Sequence, residues 1–188
     1  MNSTNNNVDF CKSNNNNDLA HDNVIKSVLW QDSANAVSGS EDGIINWWDL
    51  RSKSIINQLD LKSNLNSLEW SCNNEMISAV SENKVIFFNS FKPGQIIKEF
   101  DLENKPSSAS LHPISKDKFV VGSSDDTWVR IHNFEDGKEL DCFKGHHGPV
   151  HTVEYSPDGE YFASGSEDGT IRLWQNNPGK SYGLWSEK

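Results

Sequence analysis

Residues Gly145–Trp174 read GHHGPVHTVEYSPDGEYFASGSEDGTIRLW, and this stretch decides the fold. Val153 and Tyr155 alternate with the polar Thr152 and Glu154, the period of two that suits a strand. Ser156-Pro157-Asp158-Gly159 follows, and its Pro and Gly supply the backbone angles of a tight turn. Tyr161-Phe162-Ala163-Ser164 is a second strand, Glu167-Asp168-Gly169 a second turn, and Thr170 to Trp174 a third alternating strand. Three strands joined by two short turns form an antiparallel meander. Such a sheet cannot cover both of its faces alone, so it needs copies of itself on either side.

Copies are present. Val37-Ser38-Gly39-Ser40-Glu41-Asp42-Gly43, ending in Trp48-Asp49, nearly repeats Ala163 to Gln175, with weaker versions at Ile77 to Asn89 and Val120 to His132. The expected turn acids, Asp42, Glu82, Asp125 and Asp168, recur about every 40–43 residues. That period, with Gly-His ahead and Trp-Asp behind, resembles the WD40 repeat and implies an all-β WD40 β-propeller. Four blades are expected, at about 21–61, 62–102, 103–143 and 144–188. In the second, Phe88-Asn89 replaces Trp-Asp; in the third, His132 stands where the Asp is expected.

The WD40 resemblance implies a hydrogen-bonded set in each complete blade: a His before the first strand, a Ser on the second, the turn Asp and the third-strand Trp. The matching residues are His21, Ser38, Asp42 and Trp48 in repeat one, and His146, Ser164, Asp168 and Trp174 in repeat four. A partly buried carboxylate needs donors, and an indole N–H needs an acceptor such as a hydroxyl. Repeats two and three lack the His and the Trp, so apolar packing should replace the set there.

Other chemistry is weak in this sequence. Ser, His and Asp together invite a hydrolase reading. The set recurs at fixed register in two repeats, however, and the chain has no Gly-x-Ser-x-Gly elbow. His146, His147 and His151 lack a carboxylate or thiol at ligand spacing, so no metal is expected, and no cofactor. His112 and His132 are lone histidines and read as packing or surface residues rather than ligands. Cys11, Cys72 and Cys142 are odd in number and form no Cys-x-x-Cys pair, which favours reduced thiols in an intracellular setting.

With 27 acidic against 17 basic side chains and a formal net charge of −10, direct binding to nucleic acid is disfavoured and any RNA contact is expected to be indirect. No apolar run is long enough to span a bilayer, so no membrane association is expected. Eight of the first twenty residues are Asn, a composition that cannot offset its ordering entropy, and residues 1–20 are expected to be disordered. Val8 to Cys11 is the one place there where a short strand is conceivable.

From about His21 to Trp185 the chain further resembles the C-terminal part of the serine–threonine kinase receptor-associated (unr-interacting) family. The residues that carry this are Ile25 to Trp30, Ser107 to Pro113, Phe143-Lys144-Gly145-His146, and the closing Gly179-Lys180-Ser181-Tyr182-Gly183-Leu184-Trp185. The resemblance implies a cytoplasmic scaffold, present also in the nucleus, associated with the SMN complex that loads Sm proteins and with receptor kinase signalling. A related propeller, a subunit of a translation initiation factor, is the nearest alternative, followed by an RNA-contacting ribonucleoprotein subunit.

Members of that family have seven repeats, so the four here imply an incomplete part of a seven-bladed ring. Two apolar faces would then stand open. At ~25 cal/mol per Å², a face of about 500 Å² left wet forgoes roughly 12 kcal/mol. Self-association through those faces is expected, with a closed four-blade ring as the alternative. Candidate partner contacts are the residue ahead of each turn acid, Glu41, Ser81, Ser124 and Glu167, and Trp47 and Trp128, because aromatic anchors dominate binding energy; the alternative for the two Trp is packing between blades.

Overall fold

The computed structural model describes residues 20–71 and 75–177. The Asn-rich start, the possible strand at 8–11, Cys11, Cys72 and the closing 179–185 lie outside the described residues. The described residues form fifteen strands in four antiparallel sheets and no helix. The first sheet holds β1 (Ile25–Trp30), β2 (Asn35–Ser40), β3 (Ile44–Asp49) and β4 (Ser54–Asp60). The second holds β5 (Leu65–Ser71), β6 (Met76–Ser81), β7 (Lys84–Asn89) and β8 (Ile96–Asp101). The third holds β9 (Pro106–Leu111), β10 (Lys118–Ser123), β11 (Trp128–Asn133) and β12 (Glu139–Lys144). The fourth holds β13 (Val150–Tyr155), β14 (Tyr161–Ser166) and β15 (Ile171–Gln175). Each is an up-and-down meander, and the first strand of one packs on the first strand of the next: β1 on β5, β5 on β9, β9 on β13. This is the architecture of consecutive β-propeller blades.

The core lies between the sheets, in three clusters. Val37, Ile45 and Trp47 of the first sheet meet Leu65, Leu68 and Ile77 of the second. Val80, Val85 and Phe87 meet Ala109, Leu111 and Phe119. Val120, Val129 and Ile131 meet Val150, Val153 and Phe162. The inner strands of the second and third sheets therefore alternate between two buried faces, which is why they read as apolar runs such as Val85-Ile86-Phe87-Phe88. Close approach of the sheets requires Gly39 in β2: a Cβ there would sit 2.3 Å from Leu65 Cδ2.

Among the described residues the four sheets do not close into a ring. On the first sheet Val28 is 60% and Trp30 63% exposed, and on the fourth Ile171 is 79% and Leu173 75% exposed.

The β2–β3 and β14–β15 turns use Gly43 and Gly169 at φ 79° and 78°. In each, the turn carboxylate accepts the amide two residues on: Ile44 N–H to Asp42 Oδ1 at 2.8 Å and Thr170 N–H to Asp168 Oδ1 at 2.8 Å. In the third sheet the same bond runs from Trp128 N–H to Asp126 Oδ1 at 2.9 Å. The turn acid of that repeat is thus Asp126, not Asp125. One extra residue lengthens the turn, and Asp125 points out towards Lys105 Nζ, 3.7 Å away. The same insertion places His132 opposite Phe119, where Trp48 stands opposite Ala36 and Trp174 opposite Phe162. His132 therefore occupies the Trp position rather than the Asp position.

Candidate functional site

The structure joins the first set of four side chains. Asn46 Nδ2, a donor, lies 3.3 Å from His21 Nε2, so Nε2 carries the lone pair. Ser38 Oγ then donates to His21 Nε2 at 2.7 Å and accepts from Trp48 Nε1–H at 2.8 Å. This leaves His21 Nδ1–H to donate to Asp42 Oδ2 at 3.1 Å, which also accepts from Asp22 N–H at 2.9 Å. Burial alone would raise the Asp42 pKa, but the Ile44 and Asp22 amides and His21 outweigh it and hold the carboxyl below the usual value.

The second set repeats this geometry. His146 Nε2 lies 2.7 Å from Ser164 Oγ, Trp174 Nε1–H donates to Ser164 Oγ at 2.8 Å, and His146 Nδ1 lies 3.1 Å from Asp168 Oδ2. The Thr170 hydroxyl and the His147 amide donate to Asp168 and hold its pKa well below the carboxylate range. Ser164 is 1% exposed and His146 4%, so neither can reach a substrate. The sets tie the start of each meander to its central turn and act as clamps.

The other two sheets solve the problem differently. In the second, Phe88 replaces the indole in an apolar interface, edge-on to Trp47 at 6.4 Å. The third does not rely on apolar packing alone, as the sequence reading expected. Arg130, buried in β11, donates to Asp126 through Nη1 at 3.2 Å and Nη2 at 2.6 Å, and its Nε pairs with Glu139 at 3.2 Å. A guanidinium thus does the work of the His at this turn. The Asp126-x-Trp-x-Arg spacing was its sequence signal. His132 lies flat against Phe119 at 5.3 Å, and its Nδ1–H donates to Gly137 O; burial lowers its pKa.

Glu69 on β5 is the residue that sequence reasoning missed. Its Oε1 accepts the Ser108 hydroxyl of β9 at 2.7 Å across the interface. Burial raises its pKa to about 7, the Ser108 bond opposes this, and the negative field of Glu154 adds to it.

The expected contact residues divide. Trp47, 1% exposed, and Ser81, fully buried, cannot touch a partner. Trp47 sits on the face that packs on the second sheet, and Ser81 ends β6, where its Oγ pairs with Ser63 Oγ at 2.5 Å. Ser124 and Glu167 are exposed, and Glu41 is half-buried, ion-paired to Lys26 at 2.5 Å. Trp128 is half-buried, with Lys144 Nζ 3.8 Å above its ring. Between the second and third sheets the loop face is concave: a groove of about 600 Å³ is lined by Asn66, Glu82, Asn83, Lys84, Lys105 and Ser124.

Comparison with known proteins agrees with this geometry. The WD40 model, "WD domain, G-beta repeat", matches residues 13–49 and 137–175. Serine-threonine kinase receptor-associated protein of Gallus gallus is 37% identical over 165 residues, which is 88% of this chain and 46% of that protein. Its namesake in Dictyostelium discoideum is 42% identical over 159 residues, 82% of this chain and 52% of that protein. Eukaryotic translation initiation factor 3 subunit I of Culex quinquefasciatus is 26% identical over 163 residues, 79% of this chain and 50% of that protein. The chain spans about half the length of the curated relatives it matches. With recurring clamps on a propeller architecture and identities of 36% to 42% over most of its length, this is a WD40-repeat chain related to the serine-threonine kinase receptor-associated proteins.

Proposed function

We propose that this chain is a non-catalytic scaffold that holds protein partners on its loop face, as a component of SMN-type assembly of spliceosomal small nuclear ribonucleoproteins, of receptor kinase signalling, or of both. One observation carries the reading. The polar side chains that resemble catalysts are tied up in the clamps of the first and fourth sheets, while exposed Ser124 and Glu167 and the groove beside Lys105 face outward from the turns. Rigid display of loops suits capture of macromolecules. The relationship to serine-threonine kinase receptor-associated proteins supports the choice of partner class. In this reading the chain works in the cytoplasm and the nucleus, and any RNA contact runs through bound proteins.

The weaker similarity to translation initiation factor 3 subunit I supports a second reading, a propeller subunit of an initiation complex. Affinity capture of the tagged chain from cell extract separates the two. Sm or SMN components, or a receptor kinase, support the first; initiation-factor subunits support the second. Capture of neither class, by a chain shown to be folded, overturns both.

A further inference from the structure

The two open sheet faces are not alike. In all three packed interfaces one sheet offers a leading face and the next a trailing face: Ile45 and Trp47 on Leu65 and Leu68, Val85 and Phe87 on Ala109 and Leu111, Val129 and Ile131 on Val150 and Val153. Hydroxyls of the leading sheet cross as well. Ser27 Oγ donates to Leu68 O at 2.7 Å, Ser78 Oγ to Ala109 O at 2.7 Å, and Ser108 Oγ to Val153 O at 3.4 Å. Ser110 Oγ accepts from Tyr155 N–H at 3.2 Å. These bonds cap the edge of the trailing sheet's first strand, which would otherwise present bare main-chain groups.

The fourth sheet presents a leading face. Ile171 and Leu173 hold the register of Ile45 and Trp47, Thr152 that of Ser27 and Ser108, and Glu154 that of Ser110. The first sheet presents a trailing face, on which Val28 and Trp30 hold the register of Val153 and Tyr155. All of Thr152, Glu154, Ile171, Leu173, Val28 and Trp30 are exposed. The chain thus carries both halves of the interface it builds internally three times, one half at each end of its row of sheets.

We propose that two copies of this chain pair head to tail, each laying Ile171 and Leu173 on Val28 and Trp30 of the other. Thr152 Oγ1 donates to the Val28 carbonyl across the junction, as Ser27 does to Leu68. Glu154, on the leading face, accepts from the Trp30 N–H, as Ser110 does from Tyr155. A head-to-tail contact is heterologous, and it closes when the rotation returns to its start. Two copies make eight sheets, within the range of closed propellers. The inference rests on the repeated interface, not on the partner reading above, so failure of either leaves the other standing.

The test is the mass of the 188-residue chain by sedimentation equilibrium, with Leu173→Glu and Val28→Glu as variants. Both positions are exposed within one chain, and circular dichroism checks that each variant keeps its strands. The expected result is a two-chain mass for the parent. Each variant alone weakens pairing about 100-fold or more. An equimolar mixture of the two variants recovers a two-chain species, because one of its two junctions then joins an unmodified leading face to an unmodified trailing face. A folded parent of single-chain mass at about 100 µM overturns the proposal. So does an effect confined to one variant, which marks a symmetric contact, failure of the mixture to recover, or growth into open polymers.

Discussion

Glu69→Gln should change how the stability of this protein depends on pH. The carboxyl is half-buried between β5 and β9, and its pKa rises from 4.5 to about 7. Between those two values the folded chain holds a proton that the unfolded chain has released. Stability therefore falls as pH rises from about 4.5 to 7 and stays low above that. At 1.36 kcal/mol per pKa unit, the difference amounts to about 3 kcal/mol at pH 8.5. Gln is neutral at every pH and still accepts the Ser108 hydroxyl. Near pH 4.5 the variant should match the parent within about 1 kcal/mol, and at pH 8.5 it should be more stable by up to about 3 kcal/mol. Urea unfolding of both chains, followed by tryptophan fluorescence at the two pH values, measures this. A parent-to-variant difference that is the same at both pH values would show that folding leaves the Glu69 pKa near its ordinary value and refute the argument. Asp42 and Asp168 act in the opposite direction: their pKa values are depressed, so their contribution is full above the ordinary carboxylate value and lost as pH falls below it.

Ser164→Ala leaves the Trp174 N–H and His146 Nε2 without their shared partner inside a buried site, and should cost about 1–3 kcal/mol in denaturant unfolding. Arg130→Ala strands Asp126 and should cost about 2–4 kcal/mol, of which Arg130→Lys recovers only part because one ammonium cannot replace the two-pronged contact. Trp47→Ala empties the first interface and should cost about 3–5 kcal/mol, whereas Trp128→Ala should cost under about 1.5 kcal/mol; equal losses would contradict the placement of the two rings.

Strands, turns and the two clamps were legible because their signals are local. Alternation along Val150 to Tyr155 sets a strand, a Gly after Asp42 and Asp168 sets each turn, and the His, Ser, Asp and Trp of the clamps recur at one register. Trp47 and Trp48 show where local reading stops. Adjacent strand residues point to opposite faces, and both faces of this sheet are apolar, so neither pattern nor composition says which ring meets the next sheet. The extra residue that makes Asp126 the turn acid was equally hidden, because Asp125-Asp126 offers two carboxylates and the choice falls to the one Arg130 can reach.

By itself, then, the chain determined an all-β row of repeated meanders and the clamps that hold two of them. Each follows from residues within one repeat. Only the packing of one sheet on another decided that Trp47 is buried, that Glu69 shares its site with Ser108, and that the open faces are a leading and a trailing half. Those properties depend on groups from different repeats, such as Glu69 and Ser108, brought together because neighbouring sheets pack face to face.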